Sequence, residues 1–130
     1  MNNLLEILQS LSDKTRLRIV SLLWKAEDLC SCEIEHILDI KQPTASRHLT
    51  KLRQAGLLIS YKKAQWIHFR INRTCLRANP FIDHLIQQIH QRKDTHIADD
   101  LLRLQDYRVR GYTCATIDQW IPRKTDGNYQ

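Results

Sequence analysis

Apolar residues recur every three to four positions along most of the chain, which is the spacing of amphipathic helices. Ser12 and Asp13 are good helix starters, and Pro43 suits a first helical turn. Gly56 follows the last apolar residue of its stretch and indicates a helix end. The pattern predicts helices over residues 2–11, 15–24 and 31–39, within 41–56, and again from Pro80 onward.

The period changes to two after Gly56. Residues 57–62 and 66–71 are rich in β-branched and aromatic residues, and Ile67, Phe69 and Ile71 fall on one face of the second stretch. A short link over residues 63–65 makes the two stretches a hairpin. Because this hairpin follows two short helices joined by a tight polar turn, we expect a mainly α fold with a small β-hairpin wing, a winged helix-turn-helix.

The second of those two helices has one apolar edge and one polar edge. Its apolar residues, Ala45, Leu49 and Leu52, should face the core. The polar groups of the other edge can hydrogen-bond to base edges and phosphates, and lysines at the hairpin tip can reach phosphate. The residues expected at double-stranded DNA are Gln42, Thr44, Ser46, Arg47 and His48 near bases and phosphates, with Lys51, Lys62 and Lys63 on phosphate.

The distribution of charge supports this interpretation. The net charge is +6, yet residues 1–40 hold four Lys and Arg against seven Asp and Glu. Residues 41–77 hold nine Lys and Arg and no carboxylate at all. A solvated basic face usually interleaves acidic residues, so a zone without carboxylates around one polar helix favours a polyanion partner.

A long apolar stripe follows Pro80. It is long for a small domain that already has a core, and it predicts a homodimer contact, since dimers read two half-sites. The stripe comprises Ile82, Leu85, Ile86, Ile89, Ile97, Leu101, Leu102 and Leu104. We therefore expect a winged-helix DNA-binding and dimerisation domain over residues 1–104. Residues 105–130 have no clear period and are expected to be a C-terminal tail that contributes a ligand.

Composition excludes several classes of protein. No apolar run is long enough for a membrane span, and the N-terminus lacks signal-peptide features, so we expect a cytoplasmic protein without a membrane partner. In that reducing compartment the four cysteines are expected to be free thiols or ligands. We find no nucleophile–base pairing, phosphate loop or acid pair, which argues against an enzyme.

Four segments, in order and at fitting spacing, resemble the ArsR/SmtB family of winged-helix repressors: residues 11–23, 28–33, 42–49 and 52–58. The resemblance spans about residues 5–72. It implies a homodimer with terminal helices at its interface and wings on the DNA side. It also implies release from an operator when a metal, metalloid or thiol-reactive signal arrives.

Cys30 and Cys32 resemble the thiolate site of the branch that senses arsenic, antimony, cadmium or lead. Thiolates select soft ions. Side chains two residues apart share a face in an extended segment but lie about 200° apart on a helix, so one ion can bind both only where the helix start is extended or gives way. Distortion of that turn would bias the dimer away from DNA. The expected inducer is As(III) or Sb(III), with Cd(II), Pb(II) and Zn(II) as alternatives.

The sequence departs from the family at two positions. Glu35 stands where arsenic-responsive members often have a third cysteine. Because As(III) prefers three sulfur ligands, we expect Cys114 as the third, from this chain or its partner, with Cys75, a small-molecule thiol or no third thiol as alternatives. Ala64 stands where the wing turn of the family usually has glycine, which disfavours a positive-φ turn.

Three functions remain open. The first is an operator-binding repressor relieved by a thiophilic ion at Cys30 and Cys32. The second is a repressor that reads thiol redox state or reactive sulfur, and the third is a winged helix without a ligand. Zinc sensing on the last helices is a further alternative, because His96 and Asp99 fit the family's zinc motif, although the adjacent Asp83 and His84 do not.

Overall fold

The computed structural model describes residues 2–93 and 95–122, and it confirms the mainly α fold with a small β wing. Its helices are α1 (Asn2–Leu11), α2 (Lys14–Ala26), α3 (Ser31–Leu38), α4 (Gln42–Gln54), α5 (Arg73–Ala78), α6 (Pro80–His90) and α7 (His96–Val109). Its strands are β1 (Leu29–Cys30), β2 (Leu58–Lys63) and β3 (Trp66–Ile71), and a 3₁₀ helix covers Ile117–Gln119.

Side-chain caps fix several helix starts. An Asp13 carboxylate oxygen accepts the Arg16 backbone N–H at 2.9 Å and begins α2. At the start of α3, Cys30 occupies the capping position with extended backbone, and Glu33 Oε1 accepts the Cys30 N–H at 2.9 Å. Glu33 is the third residue of α3, and its side chain thereby satisfies the Cys30 amide, which has no partner within the helix.

The wing is a three-stranded antiparallel sheet in the order β1-β3-β2, so the predicted hairpin is joined by a third strand. The two-residue β1 is too short for a periodic signal. Its Cys30 lies opposite His68 of β3. The expectation for Ala64 was wrong: Ala64 adopts φ +55° in the two-residue turn. Tight hairpin turns match the twist of their strands only with positive φ, and alanine accepts that strain at a cost of about 1–2 kcal/mol.

Helix α7 crosses α2 and α3 and joins the C-terminal segment to the main core. Arg18 of α2 is 6% exposed, and its Nε lies 2.9 Å from Asp100 of α7, while its Nη2 donates to the Leu38 carbonyl at 2.6 Å. Ile117 and Trp120 are also buried in this core. Residue 104, the domain boundary that the sequence suggests, lies within α7, and the 3₁₀ helix Ile117–Gln119 contacts α3.

The predicted C-terminal stripe divides between the interior and the surface. Ile82, Ile86, Ile97 and Leu104 are buried in the chain's own core. Leu102, by contrast, is 55% exposed. No helix within the described residues is both long and apolar enough to cross a membrane.

Candidate functional site

Helix α4 presents a polar edge beside the wing. Gln42, Ser46, Arg47 and Lys51 are exposed, and Thr44 is half-buried. The apolar edge, Ala45, Leu49 and Leu52, is buried as its spacing predicts. The exposed side chains of Arg47 and Lys51 are available to an external anion.

His48 differs from its neighbours because it lies in the interior. It is 7% exposed, its Nδ1 lies 3.2 Å from Arg16 Nη1, and it is 3.8 Å from an Asp13 carboxylate oxygen. Arg16 in turn donates to the Ser10 carbonyl at 2.8 Å. Burial, and also the nearby Arg16, lowers the pKa of His48. The imidazole thus contacts Arg16 of α2, which in turn bonds to α1, so this geometry favours an interior role for His48 over the expected contact with DNA.

Asp28 holds the two strands of the hairpin together with hydrogen bonds to both. Its carboxylate accepts hydrogen bonds from the Tyr61 hydroxyl, from His68 Nδ1 at 2.8 Å and from Arg70 Nη2 at 2.9 Å. Burial opposes ionisation, but these three donors outweigh it and lower the pKa of Asp28. Lys62 and Lys63 are exposed at the far end of β2. Asp28 therefore holds the middle of the hairpin, and the two lysines directly follow Tyr61 towards the tip.

A pair of cysteines meets at the start of α3. Cys30 is fully buried, and its Sγ lies 2.7 Å from the Sγ of Cys114, which follows α7 in the same chain. Glu33 Oε1 lies 3.3 Å from Cys114 Sγ, and Glu33 Oε2 accepts the Tyr107 hydroxyl at 2.7 Å. We call Cys30, Glu33 and Cys114 the sulfur site. Burial raises the pKa of both thiols, and the Cys30–Cys114 contact adds to this for Cys30.

The other two cysteines lie outside this group. Cys32 is half-buried on α3, and burial followed by the nearby Glu35 raises the pKa of its thiol. Its carbonyl oxygen lies 2.8 Å from His36 Nδ1. Cys75 lies on α5, where its Sγ is 3.8 Å from Asn79 Nδ2. The structure thus brings together Cys30 and Cys114 and leaves Cys32 apart.

The C-terminal histidine motif does not converge in the described residues of one chain. His84 is exposed on α6, whereas His96 and Asp99 line a cavity of about 180 Å³ beside Arg18 and Arg103. In the described ranges 2–93 and 95–122, the sulfur site is the group whose potential ligand atoms lie within 4.8 Å of one another.

Sequence reasoning missed Glu33, Tyr107 and Asp28. The contact of Glu33 with the Cys30 amide could have been predicted, because a Glu at the third helical position often bonds back to the capping residue. Tyr107 and Asp28 carried none, because their partners lie 74 and 33 to 42 residues away along the chain.

Comparison with known proteins identifies the family. Residues 13–60 match the family described as "Bacterial regulatory protein, arsR family". "Arsenic resistance transcriptional regulator ArsR1" of Pseudomonas putida is 32% identical over 80% of this chain and 79% of its own length. ArsR2 of the same organism is 34% identical over 78% and 85%. The chain belongs to the ArsR family.

The solved structures agree with this assignment. The transcriptional repressor PagR of Bacillus anthracis aligns with a TM-score of 0.56 and 30% identity, over 68% of this chain and 93% of PagR. This ArsR-family protein is accordingly a winged-helix, DNA-binding transcriptional regulator and not an enzyme. The family match of residues 13–60 includes Cys30 and Cys32 but not Cys114.

Proposed function

We propose that this ArsR-family protein is an operator-binding repressor that leaves DNA when a thiophilic ion binds its cysteines, with arsenite or antimonite favoured. The observation that carries the proposal is the 2.7 Å approach of the Cys30 and Cys114 sulfurs at the first turn of α3. Helix α3 packs on α4, so the ion site lies one helix away from the DNA-facing edge. The names of the Pseudomonas putida relatives support a response to arsenic.

The DNA partner follows from the exposed cations. In the proposed complex, Gln42, Thr44, Ser46 and Arg47 contact base edges and phosphates. Lys51, Lys62 and Lys63 contact phosphate, with counterion release as the main gain. His48 supports α4 from inside and makes no contact with DNA.

A homodimer would cover the apolar surface that remains on the terminal helices. Leu5 and Leu8 of α1 are 51% and 44% exposed, Leu85 of α6 is 37% exposed, and Leu102 and Val109 of α7 are 55% and 78% exposed. Leu102 and Val109 also border one cavity, and contiguous apolar surface of this kind often marks a protein–protein interface. A second copy would also present a second α4 to a second half-site.

Trivalent arsenic suits the cysteines if Cys32 joins the pair. Each As–S bond forms as one As–OH group leaves as water with the thiol proton, so arsenous acid and three thiols give three waters. Cys30 is already extended and adjacent to Cys114, but Cys32 sits on the helix. Its recruitment would therefore unwind the first turn of α3, which agrees with the requirement that the helix start give way.

Two physical connections would carry this change to DNA. The first is the packing of α3 on α4. The second is the wing sheet, because Cys30 pairs with His68 of β3 and the preceding Asp28 holds the wing through Tyr61 and Arg70. An ion that pulls on Cys30 would bias both DNA-contacting elements at once.

A thiol redox sensor is the second candidate, and the same pair favours it. Cys30 and Cys114 could form a disulfide by losing two electrons and two protons to an oxidant such as a peroxide. The raised thiol pKa values do not separate the two candidates, because the thiolate is the form that attacks peroxides and also the form that ligates divalent metal ions. Zinc sensing through His84, His96 and Asp99 would need ligands from two subunits.

The test is fluorescence anisotropy of labelled promoter DNA from the chain's own locus, under reducing conditions, with arsenite, antimonite, cadmium, lead and zinc. We expect arsenite or antimonite to release wild type. We expect Cys30→Ser/Cys32→Ser and Cys30→Ser/Cys114→Ser to stay bound, with Cys75→Ser as the matched control. Zinc release that survives both double variants would move the site to the C-terminal helices. Release by no ion would leave the redox or ligand-free alternatives.

A further inference from the structure

The sulfur site contains an oxygen donor as well as two sulfurs. One Glu33 carboxylate oxygen and the Sγ atoms of Cys30 and Cys114 all lie within 4.8 Å of one another. All three residues belong to one chain. Glu33 is 9% exposed and Cys30 is fully buried, while Cys114 is half-buried and opens the group towards solvent.

The Glu33 carboxylate is held in place from two sides. Oε1 accepts the Cys30 backbone N–H at 2.9 Å, and Oε2 accepts the Tyr107 hydroxyl at 2.7 Å. Each carboxylate oxygen has about two lone-pair sites, so Oε1 keeps one for a further partner beside the sulfurs. Hydrogen bonds of this kind orient ligating carboxylates in metal sites.

A tetrahedral cation would require the two sulfurs to lie farther apart than they do. Metal–sulfur and metal–oxygen bonds of about 2.3 and 2.1 Å place two sulfurs about 3.8 Å apart and a sulfur and an oxygen about 3.6 Å apart. The present separations are 2.7 Å between sulfurs and 3.3 Å between Cys114 Sγ and Glu33 Oε1. Cys114 would move outward by about 1 Å, which its exposed neighbours Thr113 and Ala115 permit.

The donor set distinguishes this ion from arsenite. Two thiolates and a carboxylate suit Zn²⁺ and larger thiophilic divalent cations such as Cd²⁺ and Pb²⁺, and water can complete the coordination. No change in α3 is required, because Cys30 and Glu33 already meet across its first turn. Arsenite, by contrast, needs the sulfur of Cys32.

We propose that Cys30, Cys114 and Glu33 of a single chain form a binding site for a thiophilic divalent cation, without Cys32. The inference rests on the proposed function in that it concerns the same thiols, but it is tested without DNA. When such a cation is bound, it ties the segment after α7 to the start of α3. Arsenite must displace it to reach Cys30 and Cys114.

The experiment titrates reduced full-length protein with Co²⁺, whose thiolate charge-transfer absorption reports sulfur ligation, followed by competition with Cd²⁺ and Zn²⁺. We expect one Co²⁺ per wild-type chain. Cys30→Ser and Cys114→Ser should each weaken binding by about 100-fold or more. Glu33→Gln should weaken it by about 10–100-fold, the scale seen when even an outer-shell partner is removed. Cys32→Ser and Cys75→Ser should bind within about twofold of wild type.

Two variants distinguish the loss of a metal ligand from the loss of the fold. Glu33→Gln keeps an oxygen that can accept the Cys30 N–H, so α3 should still form, as circular dichroism would check. Tyr107→Phe keeps the Glu33 carboxylate but removes the hydrogen bond to its Oε2. It should therefore weaken Co²⁺ binding by less than Glu33→Gln. Loss of binding in Cys32→Ser equal to that in Cys30→Ser, or unchanged binding in folded Glu33→Gln, would overturn the proposal. Neither result bears on arsenite-driven release from DNA, which is measured separately.

Discussion

The DNA-facing surface of α4 and the wing tip differs from the sulfur site in how its polar groups are partnered. Arg47, Lys51 and Lys62 are exposed, in a stretch of sequence that has no carboxylate. At the sulfur site, Glu33 is buried and bonded on both oxygens, and burial raises the pKa of the thiols. The two regions are connected through α3 and β1.

This difference means that the two regions should respond to different variables. Exposed cations act on DNA at long range and lose strength as salt screens them. Buried thiols and a buried carboxylate are shielded from salt but depend on protonation and on soft ions. A regulator can use this separation, because ion concentration then changes operator affinity without altering the charges that contact DNA.

Replacement of Arg47 should cause the largest loss of operator affinity. Arg47→Ala should weaken operator binding by about 1–3 kcal/mol, or roughly 5- to 150-fold, and should narrow the difference between operator and scrambled DNA. Anisotropy with both DNAs measures this. The control is Arg77→Ala, an exposed arginine of α5. Equal losses for both DNAs would show that Arg47 contacts only phosphate.

Removal of the Tyr107 hydroxyl should affect the other region alone. Tyr107→Phe leaves a buried Glu33 oxygen without its donor, and should lower the free energy of unfolding by about 1–2 kcal/mol. Urea unfolding measures the loss. Operator affinity without ions should stay within about twofold of wild type. A large loss of DNA binding in a Tyr107→Phe protein that is still fully folded would contradict the separation of the two regions.

Removal of Lys62 should change the salt dependence rather than the sequence preference. Lys62→Ala should lower the slope of log affinity against log salt by about 0.9, the value for one phosphate contact, and weaken all sequences alike. Anisotropy at several salt concentrations measures it. Tyr107→Phe provides the matched comparison, since its slope should equal that of wild type.

His48 provides the smallest effect, and it distinguishes an interior imidazole from a DNA contact. Burial lowers the folded-state pKa of His48 below 6.5, so the unfolded chain takes up the proton first as pH falls. Stability present above pH 6.5 is therefore lost as pH falls through the folded-state pKa. His48→Gln should therefore flatten the pH dependence of urea unfolding between pH 7 and 5.

The control for His48 is built into the comparison. Burial also lowers the pKa of His90 and His96, and both residues remain in the variant, so the difference between the two proteins isolates His48. The salt slope for DNA should not change. A slope reduced by about one in His48→Gln near pH 6 would place a protonated His48 on phosphate after all.

The fold was predictable where its signals are local. The helix spacing of α4, the strand alternation of β3 and the absence of carboxylates over residues 41–77 are all readable within short windows. The rule that alanine disfavours a positive φ failed at Ala64, because pairing along β2 and β3 imposes that conformation on the turn. Strand β1 was missed because two residues have no period.

The site was predictable only in part, because its geometry depends on distant contacts. The Cys-x-Cys pattern drew attention to Cys30 and Cys32, yet tertiary packing places Cys30 beside Cys114, 84 residues away. The burial of His48 likewise depends on Arg16, which lies 32 residues earlier. Sequence spacing shows which residues share a helix face, but it does not show what covers that face.

The most direct test of the central claim is the operator affinity of wild type and Cys114→Ser, measured by anisotropy with and without arsenite under reducing conditions. We expect equal affinities without arsenite. With arsenite, we expect wild type to bind at least about tenfold more weakly, within the usual range of allosteric coupling, and Cys114→Ser to lose most of that shift. Release of Cys114→Ser at the same arsenite concentration as wild type would contradict the role of the Cys30–Cys114 pair.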